Sequence, residues 1–343
     1  MTAPRVLVAR LDNDGDVLLA GPAIRAVSAG AANVTLLCGP RGSQAAKLLP
    51  GVDETLVYRA EWIDPEPRAV DRDRTLALVQ RLAAERFDEA LVLTSFHQSP
   101  LPLALLLRLA GVQTIAAISE DYPGSLLDVR HRVAGDLHEV QRALSLVATL
   151  GYRLQDGDDG ALEVRAAARP PCSLPRAFVV VHPGASVPAR AWAPERNAAL
   201  VQALADAGRQ VVVTGGPDET ELCARVAGPP RAEVFDLGGR TTLGELAGVL
   251  ARAACVVVGN TAPAHLAAAV GTPVVSLYAP TVPAVRWRPW RVAHELLNVR
   301  VPCAGCRARS CPVEGHPCLS GVSVGEVVAA VNRLAIRSEA LVA

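Results

Sequence analysis

The sequence predicts an α/β protein made of two doubly wound domains that face each other across a cleft. Its 343 residues are too many for one typical core and suit two domains of roughly 150 residues each. Short apolar runs alternate with amphipathic helical stretches in both halves, which favours parallel strands joined by right-handed crossovers. Residues 155–176 are rich in Asp, Gly and Pro and lack periodicity, so we expect a linker there.

Both halves follow the same alternation of strands and helices. In the first half, strands are predicted at 5–9, 33–38, 89–94 and 113–118, and helices at 17–29, 71–86, 100–109 and 137–150. In the second half, strands are predicted at 178–181, 210–214, 233–236, 255–258 and 273–277, and helices at 195–208, 217–226, 243–253, 262–270 and 323–337. Ligands of such sheets bind beyond the carboxyl ends of the strands, so the loops at those ends are the candidate sites.

Composition and charge exclude several classes of function. The formal net charge is zero and no basic run is interleaved with aromatic residues, so nucleic-acid binding has no electrostatic support. The short apolar run at the N-terminus is followed at once by acidic residues, unlike a signal peptide. The longest apolar stretches, such as residues 100–107, are much shorter than a bilayer span. We therefore expect a cytoplasmic protein, and peripheral contact with a membrane surface stays open.

The segment 256–280 is the most informative part of the chain. It reads as a buried strand, a turn at Gly259, a helix and a second buried strand. Asn260 and Thr261 stand where the helix begins, and His265 follows Thr261 by four residues, so both side chains project from one side of the first turn. Free backbone N–H groups, a hydroxyl and an imidazole would converge there and could hold a phosphate. The alternative is an ordinary helix capped by Asn260 or Thr261.

The loop after the first strand carries a candidate general base. In residues 10–27, Gly15 permits close backbone approach and Asp16 starts the next helix. A carboxylate at this position can take a proton from a hydroxyl nucleophile. It can equally cap the helix and stabilise its dipole. Asp12 and Asp14 are rival bases, since like charges raise one another's pKa. The cluster gives only weak support for a metal site.

Two loops in the second half could bind a nucleotide. Residues 181–197 offer a flexible turn, the Ser186 hydroxyl and the Arg190 guanidinium, which could together bind an oxyanion. In residues 213–221, a glycine pair is followed by Glu219, which could accept hydrogen bonds from ribose hydroxyls. A first-turn acid stabilised by the helix dipole is the alternative for Glu219. Neither half carries GxGxxG after its first strand and no GxxxxGK[ST] occurs, which disfavours nicotinamide dehydrogenases and P-loop enzymes.

Four of the eight cysteines cluster near the C-terminus with Cys-x2-Cys-x4-Cys-x6-Cys spacing: Cys303, Cys306, Cys311 and Cys318. Such a cluster could ligate a structural zinc ion. Disulfides and free thiols in a compact loop are the alternatives, and a cytoplasmic setting argues against disulfides.

These loops, in this order, resemble glycosyltransferase family 9, whose best-known members are the ADP-heptose heptosyltransferases of lipopolysaccharide core assembly. The resemblance covers nearly the whole chain and lies in residues 15–27, 182–186 with Arg190 and Trp192, 236–253 and 259–281. It implies the GT-B fold of two Rossmann-like domains: an acceptor domain at 1–160, a nucleotide-sugar domain at 176–322, and a C-terminal helix at 323–340 that crosses back to the first domain.

The resemblance also implies roles for individual residues. Asp16 matches the catalytic aspartate, and Glu219 falls near the acidic residue that contacts the nucleoside. Thr261 and His265 match phosphate-contacting positions, and Arg190 stands where well-studied members have lysine. At the family's common Asp-Thr-Gly motif, this chain has Asn260 in place of the aspartate, retains Thr261, and has Ala262 in place of the glycine.

The predicted function is an inverting, metal-independent transfer of a sugar from a nucleotide-diphosphate donor, with ADP-heptose as the leading candidate, to a glycan or small-molecule acceptor. Asp16 would act as base, and the cationic groups with the helix N-terminus would stabilise the departing diphosphate, so no cofactor is expected. Two alternatives remain: a sugar-nucleotide epimerase related to UDP-N-acetylglucosamine 2-epimerase, and a non-catalytic nucleotide-sugar sensor.

Overall fold

The computed structural model describes residues 3–165 and 167–342, with helix side chains described as far as residue 335. The chain divides into two compact units, Met1–Arg165 and Ala166–Ala343. The division falls inside the segment 155–176 that sequence composition marks as a linker.

Within residues 3–165, parallel strands form one sheet in the order β3-β2-β1-β4-β5-β6. The strands are β1 (Arg5–Arg10), β2 (Asn33–Cys38), β3 (Glu54–Val57), β4 (Glu89–Leu93), β5 (Thr114–Ile118) and β6 (Val129–His131). The helices of this unit are α1 (Asp14–Leu19), α2 (Gly21–Ser28), α3 (Ser43–Ala46), α4 (Arg72–Glu85), α5 (Leu101–Leu109) and α6 (Glu139–Val147). Because β1 lies between β2 and β4, its carboxyl end opens at the middle of the sheet edge.

The helix predicted at 17–29 is two helices in the structure. It begins earlier, at Asp14, and is interrupted at Ala20, between α1 and α2. Pro22 lies in the first turn of α2 and has no N–H to continue the hydrogen-bond ladder of α1. The interruption places Asp16 in a separate short helix at the carboxyl edge of β1.

The second unit repeats the design, with parallel strands in the order β12-β11-β10-β7-β8-β9 among the described residues. Its strands are β7 (Val179–His182), β8 (Val211–Gly215), β9 (Val234–Gly238), β10 (Cys255–Gly259), β11 (Val274–Leu277) and β12 (His294–Leu297). Its helices are α7 (Pro194–Asp206), α8 (Thr220–Ala227), α9 (Leu243–Leu250), α10 (Ala262–Ala269), α11 (Ala284–Trp287), α12 (Pro317–Ser320) and α13 (Val324–Val342). The central strands are buried and mostly apolar, as expected for strands covered on both faces.

The structure adds short elements that the sequence reading does not predict. β3, β6 and β12 are edge strands whose residues are exposed or only partly buried, so they lack the apolar run that marks a central strand. The helices α3, α11 and α12 are single turns of four residues, too short to show helical periodicity.

The last helix packs onto the second unit. Val327, Ala330, Val331 and Leu334 belong to the core of that unit, and α13 contacts α7, β10, β11 and β12. The return of this helix to the N-terminal domain stays a prediction. Across the described parts of the chain, none of the helices has the length and apolar character needed to cross a membrane.

Candidate active site

The predicted donor residues of the second unit lie at the carboxyl edge of its sheet. β7 and β10 are neighbours, and the strand order reverses between them, since β8 follows on one side and β11 on the other. Such a switch point is where open α/β sheets bind ligands. The loop after β7 carries Ser186 and Arg190, and the loop after β10 carries Asn260 and Thr261.

The two loops touch at Gly259. A Cβ added to Gly259 would lie 2.8 Å from the backbone oxygen of Arg190 and 3.9 Å from Cγ2 of Thr261. Any larger residue would therefore displace the Arg190 loop, which explains the glycine at the end of β10. The Arg190 side chain donates through Nε to Oγ1 of Thr281, at 3.3 Å, so a third loop, after β11, joins the same edge.

Thr261 occupies the N-cap position of α10, but its side chain does not cap the helix. It is the N-cap residue of α10, with extended backbone angles, and its hydroxyl makes no hydrogen bond to the helix. The Thr261 Oγ1 atom is buried and has no hydrogen-bond partner among the described residues. A buried hydroxyl without a partner carries a desolvation cost that a ligand oxygen can relieve. His265, one turn further along α10, is also buried.

Asn260 has a different role from its neighbour. Its Nδ2 donates to the Ala279 carbonyl at 3.3 Å, and the Ala279 N–H donates to its Oδ1 at 3.2 Å. An amide can make both bonds, whereas a carboxylate could only accept. Asn260 thus ties the loop after β10 to the loop after β11, and its contact with the donor stays a prediction. Ser186 is exposed in the β7 loop, and Ala262 is the first residue of α10.

Glu219 belongs to a second group at the same edge. Its carboxylate accepts from the Gly216 N–H at 2.8 Å and lies 3.7 Å from Nε2 of His182. His182 Nδ1 is 3.0 Å from the Thr214 hydroxyl. Burial lowers the pKa of His182, while the nearby Glu219 raises it, and burial is the larger effect. Gly184 faces the carboxylate so closely that a Cβ there would collide with it.

Asp16 lies at the carboxyl edge of the first unit's sheet. It stands in the first turn of α1, and its Oδ1 accepts from Nη2 of Arg10 at 2.9 Å. Asp12 pairs with Nε of Arg10 at 2.9 Å, and Asp14 accepts from the Ala45 N–H at 2.9 Å. Burial raises the pKa of Asp12 and of Asp14 to about 6 each. The three rivals therefore have different partners, and the Asp16 side chain is 19% exposed against 8% for Asp12.

The sequence reading misses several residues of these groups. Arg10, Glu139 and Thr281 are absent from it: Arg10 directly follows the first predicted strand, Glu139 lies inside the helix predicted at 137–150, and Thr281 lies in the loop after the strand predicted at 273–277. The arginine at the end of an otherwise apolar strand was a usable signal for such a group, because a buried cation requires carboxylate partners nearby. Which carboxylates these are depends on the fold, since Glu139 is far from Arg10 in the sequence.

The four C-terminal cysteines line one cavity of about 30 Å³, together with His316. All eight cysteines of the chain are free thiols. Burial raises the pKa of the Cys318 thiol. Among the residues that the structure describes, no three His, Cys, Asp or Glu side chains lie close enough together to hold a metal ion, so zinc binding would require the thiols to draw together. The zinc hypothesis stays a prediction.

Two doubly wound units, each with polar side chains at the carboxyl edge of a parallel sheet, define the class of two-domain Rossmann-like proteins. A protein-family model described as "Glycosyltransferase family 9 (heptosyltransferase)" matches residues 75–316 of the sequence. The chain belongs to glycosyltransferase family 9. It is 27% identical over 278 residues to lipopolysaccharide heptosyltransferase 3 of Escherichia coli, a match that covers 75% of this chain and 78% of that protein.

Solved structures agree on the fold. The glycosyltransferase family 9 protein of Veillonella parvula DSM 2008 superposes with a TM-score of 0.77 at 18% identity, covering 98% of each chain. The E. coli heptosyltransferase WaaC with ADP-2-deoxy-2-fluoro heptose superposes with a TM-score of 0.72 at 20% identity, covering 96% of this chain and 99% of that one. The predicted GT-B fold of two Rossmann-like domains is confirmed, and the protein is a glycosyltransferase with heptosyltransferase relatives.

Proposed function

We propose that this glycosyltransferase moves a heptose from ADP-heptose, with inversion at the anomeric carbon, to a hydroxyl of a cell-envelope glycan of the lipopolysaccharide-core type. The observation that carries the proposal is the buried, partnerless hydroxyl of Thr261 at the N-terminus of α10, beside the Arg190 loop. The names of the E. coli relatives supply the donor and the acceptor class.

The donor diphosphate would bind at the carboxyl edge of β7 and β10. Thr261 would donate a hydrogen bond from its hydroxyl to a phosphate oxygen. The backbone N–H groups in the first turn of α10 would stabilise the negative charge through the helix dipole. Arg190 would supply the positive charge, and His265 would contact the same phosphate. Glu219 would accept hydrogen bonds from the ribose hydroxyls.

The reaction would be one displacement. Asp16 would take the proton of the acceptor hydroxyl, the acceptor oxygen would form a bond to the anomeric carbon, and the bond from that carbon to the diphosphate would break with its electron pair. Arg190, Thr261 and the helix N-terminus would stabilise the charge that develops on the departing ADP. Because these groups can carry out that task, we propose that the transfer needs no divalent metal, and that the enzyme acts in the cytoplasm with peripheral contact to the membrane that holds its acceptor.

Nucleotide binding is the first test. Thermal-shift measurements with ADP, UDP, GDP and dTDP, with and without magnesium, compare the four bases directly. A nucleotide at a hundred times its dissociation constant adds about 2.7 kcal/mol to the free energy of unfolding. We expect stabilisation by ADP that magnesium does not change. A preference for UDP would favour the epimerase instead, and no response to any nucleotide would contradict the phosphate site.

Transfer is the second test. ADP-heptose is incubated with core oligosaccharides that lack their outer heptose, and the release of ADP and the anomeric configuration of the product are measured. We expect Asp16→Asn to abolish transfer while the affinity for ADP stays within twofold of wild type. A sensor would give no transfer with the wild-type protein, and a retained anomeric configuration would refute the single displacement.

A further inference from the structure

Arg10 is a buried cation at the centre of the first unit. It is the last residue of β1, which is the middle strand of its sheet, and its side chain is 5% exposed. A buried guanidinium is unfavourable unless carboxylates and hydrogen bonds compensate it. The candidate base Asp16 is one of these partners.

Each nitrogen of the guanidinium faces a different group. Nε lies 2.9 Å from Asp12, Nη1 lies 3.8 Å from Glu139, and Nη2 donates to Asp16 at 2.9 Å and to the Ser95 hydroxyl at 3.0 Å. Nη2 makes two hydrogen bonds, and Nε and Nη1 make ion-pair contacts on the other sides, so the contacts hold the guanidinium plane and give the hydrogen bond to Asp16 one direction. Lysine has a single ammonium and could not reproduce this arrangement.

The carboxylates of this group differ in their access to solvent. The Asp16 side chain is 19% exposed, whereas those of Asp12 and Glu139 are 8% and 4% exposed. Glu139 is shared with a second cation, since Nε of Arg142 lies 3.3 Å from its Oε1. Asp12 and Glu139 are therefore enclosed, and Asp16 is the carboxylate that an acceptor can reach.

We propose that Arg10 is the positioning residue of the candidate base, holding the Asp16 carboxylate in one orientation while Asp12 and Glu139 hold the guanidinium. This inference rests on the proposed function, because it gives Asp16 the role of base. A cation beside a carboxylate favours its ionised form, which is the form that accepts a proton. The charged groups that act on Arg10 are Asp12, Asp16 and Glu139, and Arg142 pairs in turn with Glu139.

The test compares Arg10→Met with Arg10→Lys in the full-length enzyme. With ADP-heptose and core oligosaccharide as substrates, we expect Arg10→Met to lower kcat about 100-fold or more at pH 7. The acidic limb of its pH–rate profile should move to higher pH, because a nearby cation has been removed, and the KM for ADP-heptose should stay within twofold. Arg10→Lys keeps the charge, so its acidic limb should stay near that of wild type while kcat falls about tenfold.

A matched control separates positioning from a merely structural role. Arg25 makes a two-bond ion pair with Asp158 at 2.7 and 2.8 Å in the same unit, and its side chain is 11% exposed. Arg25→Met should lower the melting temperature and leave the pH–rate profile unchanged. If Arg10→Met also leaves the profile unchanged and only loses stability, Arg10 is structural and the inference is overturned.

A second readout does not depend on the acceptor or on turnover. The carboxyl ¹³C resonance of Asp16, assigned by its loss in Asp16→Asn, is followed against pH in wild type and in Arg10→Lys. We expect a changed chemical shift in the variant, because the direction of the hydrogen bond has changed. An identical chemical shift in the two proteins would overturn the positioning role. Full transfer activity of Asp16→Asn, in contrast, would refute the proposed base and leave the ion-pair geometry intact.

Discussion

The contact between Gly184 and Glu219 permits a sharp test of the donor site. A Cβ at Gly184 would collide with the Glu219 carboxylate. Because the carboxylate is the end of a flexible side chain, it can swing away, and the backbone need not move. Gly184→Ala should therefore remove Glu219 from its position while the fold persists. The displaced carboxylate loses its hydrogen bond from the Gly216 N–H and its place 3.7 Å from His182.

The effect on stability should be small and the effect on binding large. The Glu219 side chain is 26% exposed, so water can replace the lost backbone hydrogen bond, and we expect a loss of about 1 kcal/mol or less in the free energy of unfolding. Hydrogen bonds from ribose hydroxyls to a carboxylate are worth about 1.5–3 kcal/mol. Since about 1.4 kcal/mol corresponds to tenfold in affinity, Gly184→Ala should weaken ADP binding roughly 10- to 100-fold.

Gly216→Ala is the matched control for this measurement. Its backbone angles, φ −70° and ψ 174°, suit alanine, and its Cβ would lie 3.7 Å from Oε2 of Glu219, an ordinary contact. Calorimetric titration with ADP should give a weakened Kd for Gly184→Ala and a Kd within twofold of wild type for Gly216→Ala. Wild-type affinity in Gly184→Ala would refute the assignment of Glu219 to the nucleoside.

Three further variants test the donor site, the acidic loop after β1 and the C-terminal cysteine cluster. Thr261→Val replaces a buried, partnerless hydroxyl with a methyl group, so we expect unchanged or higher stability and about tenfold weaker ADP binding, and an unchanged Kd would contradict the phosphate role. Burial raises the pKa of Asp14 to about 6, so its protonated form stabilises the fold below about pH 4 and that contribution is lost as pH rises through 6. Asp14→Asn, whose amide oxygen can still accept from Ala45, should therefore raise stability by about 1–3 kcal/mol at pH 8 and change it little at pH 4 in denaturant titrations. If the C-terminal cysteines bind zinc, elemental analysis should find about one zinc per chain in the wild type and none in Cys311→Ser, and a metal-free wild type would refute the hypothesis.

The alternation of strands and helices in each unit depends on signals that the sequence carries locally. Central strands are continuous apolar runs, and helices are periodic stretches between them, so both doubly wound units could be predicted. The edge strands could not, because β3, β6 and β12 are partly exposed and owe their extended form to pairing with a neighbour. Pairing partners are distant in the sequence, so local sequence patterns do not reveal them.

The residues of the candidate sites also divide into those that the sequence predicts and those that it does not. Asp16, Glu219 and Thr261 each lie in the segment that leads from a strand into the next helix, so their place at the carboxyl edge is predictable from strand ends alone. The partners of these residues come from other loops. Arg10 meets Glu139 only after β1 and α6 have packed into one unit. A sequence can indicate where a site lies, but the contacts that set its charge and orientation depend on the tertiary structure.

Asn260 shows how a departure from a family pattern can be read from such contacts. A carboxylate at this position would accept from the Ala279 N–H but would leave the Ala279 carbonyl without its donor. The amide satisfies both backbone groups and so fixes the loop after β11, which carries the Thr281 hydroxyl to Arg190. Asn260 therefore acts on the site through the backbone that positions Arg190.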